Sequence, residues 1–164
     1  QMVQMDGSRH RWFEDRSGKC CLMMMIDDAT GQMRGRFHGG ETLAAAMQTF
    51  GRWCAEFGIP QSLYVDRAGI YRSDREPTAQ EIRSKRAPLT QFGRAMKELD
   101  VRLILARSPQ AKGRVERANG TLQDRLVKEM RLAGISGIDQ ANAWLDRHGF
   151  FQKLGPAVRG QAGG

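Results

Sequence analysis

The run Ser108-Pro-Gln-Ala-Lys-Gly-Arg-Val-Glu-Arg-Ala-Asn-Gly-Thr-Leu-Gln123, with its continuation to Leu132, constrains the fold more than any other feature of the chain. Ser108 suits an N-cap and Pro109 a first helical turn, so a helix is predicted from about Pro109 to Leu132. Val115, Ala118, Leu122, Leu126 and Met130 recur at three- and four-residue steps and form one buried stripe. On a different face, Lys112, Glu116, Asn119 and Gln123 recur at steps of four, three and four. A glutamate there stands among residues that can bind phosphate or bases. An ordinary solvated face mixes signs in the same way, so the face alone does not choose between the two.

Two further segments bear on that choice. Val3-Gln-Met-Asp6-Gly-Ser8 is extended and carries one carboxylate. In Gly58-Ile-Pro-Gln-Ser-Leu-Tyr-Val-Asp66-Arg-Ala-Gly69, a short apolar run, Leu63 to Val65, ends on an aspartate before a turn. Aspartate at the end of a buried strand runs against strand propensity and needs a local reason, either capping the turn or binding a cation. In order along the chain, the set is a strand Asp, a strand-end Asp and a helix Glu before a basic and polar face.

With those residues in view, the chain resembles the catalytic core of DDE transposases, the insertion-sequence relatives of retroviral integrase. The matching pieces are Gln4-Met-Asp6, Phe13, Ile26-Asp-Asp-Ala-Thr-Gly31, Tyr64-Val-Asp66-Arg, Thr90-Gln-Phe-Gly93 and Ser108-Pro-Gln-Ala-Lys-Gly-Arg-Val-Glu116-Arg-Ala-Asn119. They span roughly Met2 to Ile135, and the last is the most specific. The resemblance implies a ribonuclease H-like α/β fold with catalytic, metal-holding acids at Asp6, Asp66 and Glu116. It also implies Mg²⁺ or Mn²⁺ as cofactor, DNA as partner, and a multimer that holds the DNA ends. Three converging carboxylates repel one another unless a cation neutralises them, and hard oxygen donors suit those ions. Two departures stand out. Forty-nine residues separate Asp66 from Glu116, more than in the integrase pattern. The extra length falls on the charged stretch Arg72 to Pro88, read as a loop. After about Leu145 the sequence leaves the family's usual continuation, so the expected core is 1–145, with 146–164 a flexible tail.

Charge supports a polyanionic partner. Lys and Arg total 26 against 18 Asp and Glu, for a net charge of +8. Candidate DNA contacts are Lys112, Arg114, Asn119, Gln123 and Arg67. The basic loop around Arg72, Arg75, Arg83, Lys85 and Arg86 either follows DNA or is a solvated excursion. Cys20, Cys21 and Cys54 show no zinc spacing and read as reduced thiols of a cytoplasmic protein. No apolar run approaches the length of a membrane span. A chain beginning with Gln1 reads as an excised piece of something longer. Asp27 and Asp28, before Ala-Thr-Gly, read as turn caps, and His10, His38 and His148 as surface residues.

The expected order is strands at 2–7, 19–27 and 32–38, a helix from Glu41 to Phe57, and a strand from Ser62 to Asp66. A helix from Leu89 to Leu99, a strand from Val101 to Ala106, the long helix, and a short one from Ile138 to Leu145 follow. The first helix should bury Leu43, Ala44, Met47, Phe50, Cys54 and Phe57. Hairpin strands followed by alternating helices and strands predict a mixed five-stranded sheet with helices on both faces. Trp12, Phe13 and Trp53 exceed what so small a core is expected to hold, which suggests a homo-oligomer interface. Two other functions compete with strand transfer: a ribonuclease H-like nuclease that cuts without joining, and an inactive DNA-binding remnant of a mobile element. Retention of all three acids argues against the remnant, and the tail argues for it.

Overall fold

A computed structural model describes residues 1–66, 70–71, 78–83, 90–106 and 113–154, the side chains of 81 and 113–116 excepted. β1 (Met2–His10), β2 (Cys20–Asp27), β3 (Met33–His38), β4 (Ser62–Val65) and β5 (Arg102–Leu105) form one sheet in the order β3-β2-β1-β4-β5. The first three strands are antiparallel, while β4 runs parallel to β1 and β5 parallel to β4. This is the predicted mixed ribonuclease H-like sheet, with helices on both faces.

The apolar run from Cys20 to Asp27 explains the two-faced architecture. Alternate side chains of a strand point to opposite faces. Cys20, Leu22, Met24 and Ile26 enter one core, and Cys21, Met23 and Met25 enter the other. The second core is closed by α1 (Leu43–Phe57) and α3 (Gln91–Glu98). The first is closed by α4 (Gly113–Leu132), α5 (Ile138–His148) and α6 (Phe150–Leu154). Thr42 and Thr90 cap α1 and α3 by accepting from Ala45 N and Gly93 N at 3.1 and 3.0 Å. Between them, the stretch read as a loop contains α2 (Ala79–Arg83). The start of the long helix, Ser108 to Lys112, lies outside the described residues.

Three expectations need correction. α1 buries Ala45, Ala46, Thr49, Phe50 and Trp53. Ala44, Met47 and Phe57, expected inside, are exposed, the last two at 39% and 37%. Two alanines let the helix backbone approach the sheet, and Trp53 offers more apolar area than any residue of the predicted stripe. Secondly, Trp12, Phe13 and Trp53 all fit inside, at 0%, 1% and 2% exposure, so these aromatics supply no argument for an interface. Thirdly, the ordered fold runs past Leu145. α5 continues to His148, Gly149 turns the chain at φ 62°, and α6 buries Phe150 and Phe151. The Phe151 ring lies on Gly35, where a Cβ would stand 2.6 Å from it. Residues 155–164 lie outside the description.

Candidate active site

Asp6 lies in the middle of β1, and Asp66 directly follows β4. The parallel pairs Met2↔Ser62, Val3↔Leu63 and Gln4↔Tyr64 keep a constant offset of 60. Carried two residues further, past the end of β4, the same offset would set Asp66 level with Asp6. Val3, Met5, Leu63 and Val65 belong to the core under α1 and α3, so alternation turns Gln4, Asp6 and Tyr64 toward α4. Both aspartates are half-buried. Tyr71 lies within the field of both. Burial first, and then the negative charges of Glu41, Asp66 and Asp6, push its hydroxyl far above the usual phenol range.

α4 is fixed over β1 by two side-chain contacts. Asn119 Nδ2 donates to Asp6 Oδ2 at 3.3 Å, and Gln123 Nε2 donates to Ser8 Oγ at 3.3 Å. Four helical residues advance about 6 Å and two strand residues about 6.6 Å, so helix and strand run in step and in the same direction. Leu122, Leu126 and Met130 anchor the helix in the core, as its apolar stripe predicts. Glu116 belongs to the same helix, three residues before Asn119, hence on the neighbouring turn of one face. The side chains of Glu116 and Arg114, and all of Lys112 and Arg67, lie outside the described residues. Among the described residues, no three His, Cys, Asp or Glu side chains form a metal-binding group.

Asn119 and Gln123, expected to touch DNA, make their described contacts to β1. Asn119 Oδ1 is also buried there without a hydrogen-bond partner. Two neighbours escaped the sequence reading. Tyr71 is 3% exposed, with its hydroxyl unpartnered. Glu41 lies on the opposite side of β1 from α4, where a Cβ on Gly7 would come within 3.0 Å of its carboxyl carbon. The sequence signal was Gly7 itself: a glycine beside a strand aspartate marks a close approach. Burial first, then Glu41, push the nearby Cys21 thiol up to about 12, so it is not a nucleophile.

The remaining candidates are structural. Asp27 Oδ1 accepts from Ala29 N at 2.8 Å and caps the turn, as expected. His10 and His148 pack on Trp12 and Trp144, with ring centroids 5.2 and 4.9 Å apart. No described helix is long and apolar enough to cross a membrane.

No protein-family model matches the chain. It is 45% identical over 148 residues, 90% of its length, to the Sinorhizobium fredii protein y4bF, named as a transposase. It is 37% identical over 149 residues to the transposase for insertion sequence IS1202 of Streptococcus pneumoniae. The chain spans only 31% and 30% of the length of these two relatives. Its fold is shared with the HTLV-2 integrase catalytic core domain in complex with magnesium, in a trimeric form. That likeness has a TM-score of 0.61 and 17% identity, covering 88% of this chain and 83% of the other.

Proposed function

Because this chain is related by sequence to insertion-sequence transposases and carries the fold of a retroviral integrase catalytic core, we propose that it is the part of a DNA transposase that cuts and joins strands. The reaction class is polynucleotidyl transfer: cutting of a DNA strand, then attack of a DNA 3′-hydroxyl on a second strand. The observation that supports this reading is the common register of β1 and β4, which, carried two residues past its last pair, would bring Asp66 level with Asp6.

The donor set fits a hard divalent cation. Two carboxylates would stand level, and beside Asp6 the buried Asn119 Oδ1 is an oxygen with capacity to spare. Asp6, Asp66 and Glu116 would hold Mg²⁺ or Mn²⁺, which supplies charge neutralisation and activation of the attacking oxygen. Asn119 restrains the Asp6 carboxylate and Gln123 ties the helix to Ser8, contacts by which α4 would bring Glu116 to the same place. Lys112, Arg114 and Arg67 are assigned to DNA phosphates. The net charge of +8 favours such a polyanion, with affinity falling steeply as salt rises. A multimer is the working assembly, in line with the trimeric form named for the HTLV-2 core.

The test is a strand-cutting and strand-joining assay on labelled duplex DNA with Mg²⁺ or Mn²⁺. Activity should vanish in Asp66→Asn while the circular dichroism spectrum is unchanged. Full activity in that variant would remove the reading. Cutting without joined product would favour a nuclease.

A further inference from the structure

A second site lies at the far edge of the sheet, away from the acids. A cavity of about 380 Å³ opens along β3 between α1 and the α5–α6 pair. Its chemistry is specific. Arg36 and Arg52 share the single carboxylate of Asp146 at 3.3 and 3.1 Å. Arg34 holds Glu56 through Nε at 2.9 and 3.0 Å. The described residues therefore leave this cavity one guanidinium in excess. Trp53 also lines it, and its indole N–H is buried without an acceptor.

The backbone of the edge strand adds a second requirement. Asn142 Oδ1 accepts from Phe37 N at 2.8 Å, and Asn142 Nδ2 donates to Phe37 O at 3.0 Å. Phe37 thus turns both its polar groups outward, and the Asn142 amide answers them as the C=O and N–H of one residue in an added strand would. In an antiparallel pair this orientation repeats every second residue. Gly35, two residues back and lining the cavity, therefore also turns its N–H and C=O outward.

We propose that this cavity binds a short extended peptide segment carrying an acidic side chain. The C=O and N–H of one ligand residue pair with Gly35 N–H and C=O, as in an added strand. Its carboxylate joins Arg36 and Arg52, where the excess positive charge lies. A phosphodiester fits less well. It has no donor for the Gly35 carbonyl, whereas one residue of an extended peptide answers both halves of the pair.

The probe is an end-blocked, fluorescein-labelled heptapeptide of alternating valine and aspartate, titrated with the 164-residue chain and read by anisotropy. Saturable binding is expected. Arg52 is largely exposed, so Arg52→Gln should fold normally and weaken binding by roughly tenfold or more. N-methylation of the peptide's central amides should weaken it by about fivefold or more with the protein unaltered. Several results would each overturn the proposal. They are no saturable binding, equal binding of the peptide with asparagine for aspartate, and indifference to N-methylation. So would displacement by oligothymidylate with the same Arg52 dependence, which makes the cavity a phosphate site. Self-association lost in Arg52→Gln, with no peptide binding, would make it an interface between copies.

Discussion

Asn119 shows how far single residues could be read. Its place on the Glu116 face follows from helical spacing, but its partner does not, because Asp6 lies 113 positions away. Only the register of α4 on β1 brings them together. Asp6 and Asp66 were legible because a charge in an apolar strand context needs a reason. Glu41 and Tyr71 were not: a glutamate before a helix and a tyrosine after a turn are unremarkable until folding sets them near the same acids. The contact with Asp6 gives Asn119 a positioning role. Asn119→Ala should leave the fold intact and lower strand cutting by roughly ten- to a hundredfold, the worth of a hydrogen bond to a charged group. Mn²⁺ affinity, measured by titration calorimetry, should fall with it. Unchanged cutting and metal affinity would return Asn119 to an ordinary helix face.

At the scale of elements, strands were easiest to read, since β2 is apolar on both faces and needs two cores. The buried face of α1 was misread because two small alanines and one tryptophan outweighed the larger aliphatic pattern. The C-terminal end was misread for another reason. Gly149 breaks the helical period, and the aromatics after it look like a tail until Phe151 is seen on Gly35. Phe151→Ala should therefore cost about 3–5 kcal/mol in urea denaturation, as for a buried core aromatic. A cost near zero would mean that α6 is not docked in solution.

A surface tie also links elements. Glu14, in the 3-10 turn after β1, pairs with Arg131 of α4 at 2.7 Å and with Arg16 at 2.8 Å. The Arg131 hydrogen bond first, then that of Arg16, hold its carboxyl down at about 2, below the ordinary 4.5. A depressed carboxylate contributes stability above its unfolded value and loses it as pH falls through the folded one. The stability difference between the native chain and Glu14→Gln should thus be present at neutral pH and shrink between about 4.5 and about 2. Being exposed, the pair should also weaken with salt. Paired thermal melts across that range check both; a difference independent of pH would exclude the ionic tie.

For the whole molecule, the alternation of hairpin, helix and strand was enough to predict a mixed sheet covered on both faces. The proposed convergence of distant acids rests on that topology. Parallel β1 and β4 put Asp6 on one strand and Asp66 just past the end of its neighbour, and the helix after β5 returns across β1 through Asn119 and Gln123. Sequence could supply the candidates and their order. It could not supply the side-chain positions on either side of the long insertion, which depend on packing rather than local pattern.

The central claim is that Asp6, Asp66 and Glu116 share one divalent-cation site. Mg²⁺-type sites take part of their coordination from substrate phosphates, so the metal should bind weakly without DNA. Anomalous diffraction at the manganese edge, from crystals grown in millimolar Mn²⁺, would locate that ion. A peak bounded by the carboxylates of all three residues, and absent in Asp66→Asn crystals grown identically, is the predicted result. A peak that leaves Glu116 turned away, or that persists in Asp66→Asn, would contradict it.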